Sequence, residues 1–394
     1  MSKISSRLAA IEPSATLLVT QKAGELRAAG VDVIGFSAGE PDFSTPVHIA
    51  EAAKTAIDAG HTRYTPAAGM VELKRAVAAQ NQLVRGVPTA EDEVIVCTGA
   101  KHVLYNYFMA MLDEGDEVII PSPCYVSYPD QVRLAGGVPV LAPTSVENNW
   151  VLTPEALAQV VTSRSKVLLL NSPCNPTGGI YNLAQMKAVI DKAHSIGLYV
   201  VSDEIYRSLV YDAHEFVSAL YSDSVDRERI FIVDGVSKTY AMTGWRIGFG
   251  IGDREIVTAM TKIQGQAITN ATTVSQQAAL AALQGPLDFL PAWVSEYEQR
   301  RNTLVHGLNG IDGITCPMPS GAFYVFPDVR AILPRLGPNA TDVDFAAWLL
   351  DNANVAVVPG TPFGAPGYIR LAYATSMTLI KEGVTRMAEA CRRL

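Results

Sequence analysis

Between residues 90 and 260 the chain repeats one pattern: a short, continuously apolar run, then a stretch with helical spacing. The runs are EVIVC (93–97), EVIIP (117–121), KVLLL (166–170), LYVVSD (198–203), RIFIVD (229–234) and RIGFGIG (246–252). Continuity rather than alternation marks a strand buried on both faces. Such strands, interleaved with helices, predict an α/β fold with a mostly parallel sheet covered on both sides. The helix after the first run is explicit. In AKHVLYNYFMAML, Val103, Leu104, Tyr107, Phe108, Met111 and Leu112 recur at helical spacing, directly after Thr98 and Gly99. Beyond residue 285 the pattern changes to a charged helical stretch, PAWVSEYEQRRNTLVHGLNG, then GAFYVFPD and a final helix. The division expected is an N-terminal arm with part of a small domain (1–45), a large domain (46–285) and a smaller α/β domain (286–394).

The 394 residues are 48% hydrophobic and carry a net charge of −8, enough for a large core and without a basic stripe to neutralise a phosphate backbone. Nucleic acid is not an expected partner. No apolar run approaches the ~20 residues of a spanning helix, and MSKISSRLAAIEPSATLLVT lacks the apolar core of a signal peptide, so the expected location is cytoplasmic, away from membranes. Cys97, Cys124, Cys174, Cys316 and Cys391 form no CxxC pair and do not sit at metal-ligand spacing with histidine, so neither a disulfide framework nor a metal site is expected.

Four stretches carry chemistry: CTGAK (97–101), NSPCNPTGG (171–179), SDEIY (202–206) and GVSKTYAMTGWRIG (235–248). Each follows or ends an expected strand, and ligands of parallel sheets sit outside the carboxyl ends of strands, so the four can meet in one crevice. Lys238, set among small residues with Arg246 eight positions on, has the setting of an imine-forming amine: desolvation and a nearby positive charge keep part of it neutral. Arg246 offers a bidentate fork for a phosphate and Ser237 a hydroxyl. The amides of Gly99, Ala100 and Lys101 offer the start of a helix, which favours an anion. A cofactor that needs an amine, a phosphate clamp and an acid is pyridoxal 5′-phosphate, and Asp203 is placed to hold its ring nitrogen protonated. Tyr206 and Asn175 are then the donors for its phenolic oxygen. Taken singly, Arg246 could serve a structural ion pair and Asp203 could cap the next element.

Together with SAGEPDFSTP, RYTPAAGMVELKRAVA, GDEVIIPSPCYVSYPD and VAVVPGTPFGAPGYIRLAYATS, these motifs give a sequence that resembles, over essentially its whole length, the class I and II aminotransferases of pyridoxal-phosphate fold type I. The prokaryotic aspartate aminotransferase subgroup is the nearest in pattern. The resemblance implies that Lys238 holds the cofactor and moves the substrate proton, and that Arg370 takes the substrate α-carboxylate, aided by Asn175 and the backbone at Gly39. It also implies a homodimer in which Tyr64 crosses to the partner's phosphate and the IEPSATLLV arm wraps a partner or the small domain. One departure stands out: PCYVSYP replaces the family's PYWVSYP, so Tyr125 takes the place of a tryptophan that stacks on the cofactor.

The reaction implied is ping-pong transfer from an amino acid to a 2-oxo acid, with aspartate and 2-oxoglutarate as the leading pair. A dicarboxylate needs a second cation, for which Lys101 is the visible candidate unless it serves the phosphate. No arginine in QGQAITNATTV fills that role, which keeps an aromatic, broad or prephenate-accepting specificity open. A lyase or decarboxylase on the same fold, and a non-catalytic cofactor-binding sensor, are the competing readings.

Overall fold

The computed structural model describes residues 4, 5, 8, 9, 11, 13, 15–221 and 226–394. Glu12 and Ser14 of the expected arm lie outside the described residues. Twelve strands occur among the described residues: β1 (Ile34–Gly35), β2 (Val94–Cys97), β3 (Glu117–Ser122), β4 (Val138–Pro143), β5 (Ser165–Asn171), β6 (Tyr199–Asp203), β7 (Ile230–Gly235), β8 (Gly248–Ile251), β9 (Tyr324–Val325), β10 (Val355–Ala356), β11 (Val358–Pro359) and β12 (Ile369–Ala372). Seven of them form one sheet in the order β2-β8-β7-β6-β5-β3-β4, and the fold is the expected α/β arrangement.

All six apolar runs contain a strand of this sheet. The seventh, β4, was not among them. Its sequence VPVLAP carries two prolines and stands partly exposed at the edge, paired only with β3, where a missing N–H is tolerated. The last run is shorter than its apolar stretch: β8 begins at Gly248, and Arg246 before it takes a left-handed conformation with φ 57°. β8 also runs antiparallel to both β2 and β7. The connection from β7 is the loop 236–247, which holds turns and one short 3-10 segment and no crossover helix, so the chain returns beside β7 in the opposite direction.

This reversal shapes the functional edge. β3, β5, β6 and β7 run parallel and end on the same side of the sheet, while β8 starts there, with Gly248 opposite both Cys97 of β2 and Gly235 of β7. Gly248 also has to be glycine, since a Cβ would come within 2.3 Å of the Ala100 amide nitrogen.

One core, with Val94, Leu168, Val200, Ile232 and Phe249, packs one set of sheet side chains, and a second, with Tyr107, Phe108, Val167, Val201 and Phe231, packs the other. Each buried aliphatic side chain contributes about 1.5–3 kcal/mol. The helix Ala100–Met111 begins with Gly99 at φ 87°, as its sequence predicts. A third core gathers Phe36, Tyr297, Phe323, Phe345 and Tyr373 around the helices Leu290–Asn309, Asp342–Ala353 and Met377–Cys391 and the small sheet β11-β12-β9. Ile205 and Tyr206, just past β6, belong to this third core and so tie the large sheet to it. Among the described residues no helix is long and apolar enough to cross a membrane.

Candidate active site

A pocket of about 390 Å³ at the carboxyl edge of the large sheet is lined by Gly39, Ala100, Lys101, Tyr125, Asn175, Asp203, Tyr206, Ser237, Lys238, Arg246 and Arg370. Eleven of the thirteen residues singled out from sequence thus meet in one place. Gly99 lies at its rim as the residue that starts the helix Ala100–Met111. Tyr64 does not reach the pocket within its own chain: it is 86% exposed and lines a separate depression with His61, Arg63 and Gln277.

Lys238 is half-buried, and its Nζ donates to the Gly39 carbonyl at 2.6 Å. Its pKa is lowered to about 8, first by burial and then by Arg246 and Arg370, against the opposing pull of Glu40 and Asp203. An amine so placed is neutral about a tenth of the time at pH 7, far more than an ordinary lysine, as a nucleophile or proton carrier requires. The rings of Tyr206 and Phe323 lie under it, each centroid 5.6 Å from Nζ.

Asp203 ends β6 and is buried. Tyr128 donates to its Oδ2 at 2.8 Å and the Ile205 amide to its Oδ1 at 3.2 Å. Burial nonetheless pushes its pKa up to about 6; the two donors work against the rise, and Asp234 and Glu204 add to it. Without a cation opposite, this carboxylate is poorly stabilised. A protonated pyridine nitrogen is the kind of partner that would correct it.

Arg370, on β12, is 1% exposed. Its Nη1 donates to Asn175 Oδ1 at 3.1 Å and its Nη2 to the Ser37 carbonyl at 2.7 Å, while Nε is buried with no partner. Its guanidinium also stacks over Tyr324, 4.5 Å from the ring centroid. A buried guanidinium held by two neutral oxygens, with one donor unused, is a seat for a carboxylate.

At the opposite side, Arg246 leans over the start of the helix Ala100–Met111: a Cβ on Gly99 would meet its Nη2 at 2.5 Å. The Gly99 amide donates to the Cys97 carbonyl at 2.8 Å. The Ala100 and Lys101 amides remain the first free turn of the helix, beside Ser237 and Arg246. Lys101 is exposed, with Nζ 5.3 Å from the Tyr125 ring centroid, so the cation and the stacking ring are neighbours.

Two tyrosines were not singled out in the sequence. Tyr128 lies within the quoted PCYVSYP and serves Asp203. Tyr324, within GAFYVFPD, shares a 2.7 Å hydrogen bond with the Tyr206 hydroxyl and closes over Arg370. Thr16 and Thr20 also line the pocket. An amine, a carboxylate in want of a cation and an anion seat within one pocket fit pyridoxal phosphate, and the guanidinium with a spare donor fits its amino-acid substrate.

Comparisons with known proteins agree with this chemistry. Residues 31–387 match the model of the family described as aminotransferase class I and II. The chain is 46% identical to an aspartate aminotransferase of Geobacillus stearothermophilus, with 98% of each covered. It is 44% identical to a probable aspartate/prephenate aminotransferase of Aquifex aeolicus, with 99% of each covered. The crystal structure of the Rhizobium meliloti aspartate aminotransferase superposes with a TM-score of 0.96 at 41% identity, covering 100% of both chains. The chain belongs to the class I and II aminotransferases and is a pyridoxal-phosphate-dependent enzyme of that family.

Proposed function

We propose that this aminotransferase exchanges the amino group between aspartate and 2-oxoglutarate, and that the residues of the pocket take the roles their chemistry suggests. The observation that carries the reading is Arg370, a buried guanidinium with an unpartnered Nε in the same pocket as Lys238 and Asp203. When bound, pyridoxal phosphate supplies the electron sink that lets the bond from the α-carbon to hydrogen break. Asp203 would hold the ring nitrogen and keep it protonated, Tyr206 and Asn175 would donate to the phenolic oxygen, and Tyr125 would stack on the ring. Arg246, Ser237 and the amides of Ala100 and Lys101 would bind the phosphate. Arg370, with Asn175 and the Gly39 backbone, orients the substrate so that Nζ of Lys238 can carry the proton away from the α-carbon and return it.

Lys101 is the cation available to the second carboxylate of a dicarboxylic substrate. A second specificity has its own support: beside the pocket, and sharing Lys101 and Arg246 with it, lies a cavity of about 840 Å³ with Val126, Leu134, Leu141 and Phe363 in its wall. That space suits a bulkier side chain, and some relatives carry prephenate beside aspartate in their names. The remaining proposals are a homodimer in which Tyr64 reaches the partner's phosphate, a cytoplasmic location, and domain boundaries near residues 45 and 285. Half-reaction absorbance changes with aspartate, glutamate, phenylalanine and tyrosine test the specificity. The two dicarboxylic acids are expected to react with a kcat/KM at least tenfold higher, and a preference for the aromatic pair overturns the proposal.

A further inference from the structure

The residues flanking Asp203 and Lys238 lead into a second set of charges that no step above uses. Arg85, 2% exposed, donates through Nε to Glu204 Oε2 at 2.7 Å and through Nη2 to Asp234 Oδ2 at 3.0 Å. Arg207 donates through Nε to the same Asp234 oxygen at 2.7 Å. Arg85 Nη1 is fixed by Asn81 Oδ1 at 3.1 Å, and Gly86 at φ 70° ends the helix Val71–Arg85 directly after it. Glu204 accepts in addition from Ser202, Ser218 and the Ala219 amide.

The connections to the active site are covalent or nearly so. Glu204 follows Asp203 in the chain, and Asp234 on β7 follows Val233, the residue paired with Asp203 of β6. Arg207 Nη1 reaches Ser208 Oγ at 3.3 Å, and Thr239, the residue after Lys238, shares a 3.1 Å hydrogen bond with the same hydroxyl. For stability alone, well-packed apolar residues serve as well as a buried ion pair or better. A two-arginine, two-carboxylate set touching both catalytic segments calls for another reason.

We propose that Arg85, Arg207, Glu204 and Asp234 form a charge-balanced cluster that positions Asp203 and Lys238 for the reaction, with Arg85 as its central positioning residue. The proposal rests on the reading of Asp203 as the carboxylate facing the cofactor nitrogen. Three carboxylates crowd the ends of β6 and β7, and two guanidiniums neutralise the two that face away from the pocket. Of the three, Asp203 is thereby left as the carboxylate without a guanidinium, with the Tyr128 hydroxyl donating to its Oδ2. Burial is the main cause of its raised pKa, and Asp234 and Glu204 push the same way, so the arginines limit a repulsion that would otherwise neutralise it.

The test is the affinity of the cofactor-free protein for pyridoxal phosphate, measured by equilibrium dialysis between pH 5 and 8 on the wild type and on R85Q, D234N and D203N. The cofactor's own phosphate ionisation is common to all four proteins and cancels between them. R85Q leaves an uncompensated negative charge and is expected to move the acid limb of binding up by about one pH unit; D234N removes a negative charge and should move it down by a similar amount. Structural damage would weaken binding in both variants without opposite shifts. The double variant R85Q/E204Q restores the charge balance and is expected to return the limb to within a few tenths of a unit of wild type. Should R85Q fail to fold, R207Q carries the same sign. Shifts in one direction, or none, while D203N abolishes the acid limb and weakens binding, overturn the cluster alone. D203N binding like wild type overturns the reading of Asp203 beneath it.

Discussion

Two groups of buried charge lie within a few residues of each other, and they are satisfied in opposite ways. In the cluster around Arg85, every carboxylate has a guanidinium at 2.7–3.0 Å, and burial's upward push on Asp234 is more than offset by Arg207 and Arg85, which leave its pKa lowered. In the pocket, Lys238 donates to a carbonyl, Asp203 accepts from a phenol, and Arg370 donates to an amide and a carbonyl. Among the described residues none of these three forms an ion pair within the chain. A protein able to pair its buried charges in one place and not in the other holds the unpaired ones for a ligand. Their unfavourable titration, Lys238 shifted down and Asp203 shifted up, is the mark of that withholding.

Substitutions can break or sharpen this contrast. The largest effect is expected from K238A, which removes the proposed proton carrier: amine transfer from aspartate, followed by absorbance, should slow at least ~1,000-fold. Persistence of turnover within tenfold of wild type would refute the assignment. Next, R85M and R370M should part company in the cofactor-free protein, as read by urea unfolding. R85M leaves Glu204 without a guanidinium and Asp234 with Arg207 alone, one buried negative charge uncompensated, and should cost about 3–5 kcal/mol. R370M strands none, so its stability should change by less than about 1 kcal/mol, while kcat/KM falls by the equivalent of about 2–5 kcal/mol. Equal destabilisation by the two would erase the distinction between the clusters.

Asp203 gives a smaller effect of the opposite sign. Its pKa is raised to about 6 from an ordinary 3.8, so the folded protein binds its proton more tightly than the unfolded chain does. Stability is therefore lost as pH rises from 3.8 through 6, and above pH 6 the ionised group costs about 2–3 kcal/mol. D203N should remove that cost: the cofactor-free variant is expected to unfold at higher urea than wild type at pH 7.5 and at equal urea near pH 4, although it loses activity. The smallest change belongs to Y128F, which deprives Asp203 of its 2.8 Å donor and should weaken pyridoxal phosphate binding roughly tenfold at pH 7. An unaltered affinity would mean that the tyrosine only fills space.

How much of this the sequence discloses depends on the range over which each signal acts. Strands buried on both faces show as unbroken apolar runs, and all six such runs lie in the sheet; β4, half-exposed and bearing Pro139 and Pro143, left no such trace. Motif residues on short loops after strands, such as Asp203, Asn175 and Lys238, were legible because the strand ends gather them. Tyr324 was not, since it comes from a short strand beyond the large sheet, 118 residues from its partner Tyr206. The Arg85 cluster was invisible for the same reason: its arginine meets carboxylates 119 and 149 positions away, and nothing near residue 85 announces them. The engagement of the Gly99 amide with Cys97 is local, set by the turn into the helix, and no motif spells it out.

Because β8 reverses direction between β2 and β7, the Lys238 amine and the Arg246 guanidinium are borne by one bend of the chain. Their interval of eight residues therefore measures the girth of a loop rather than a distance along a strand. Lengthening that loop by one residue would leave the register of the sheet untouched yet alter the span between the two groups. The gauge of this catalytic site is set by how many peptide units separate Gly235 from Gly248.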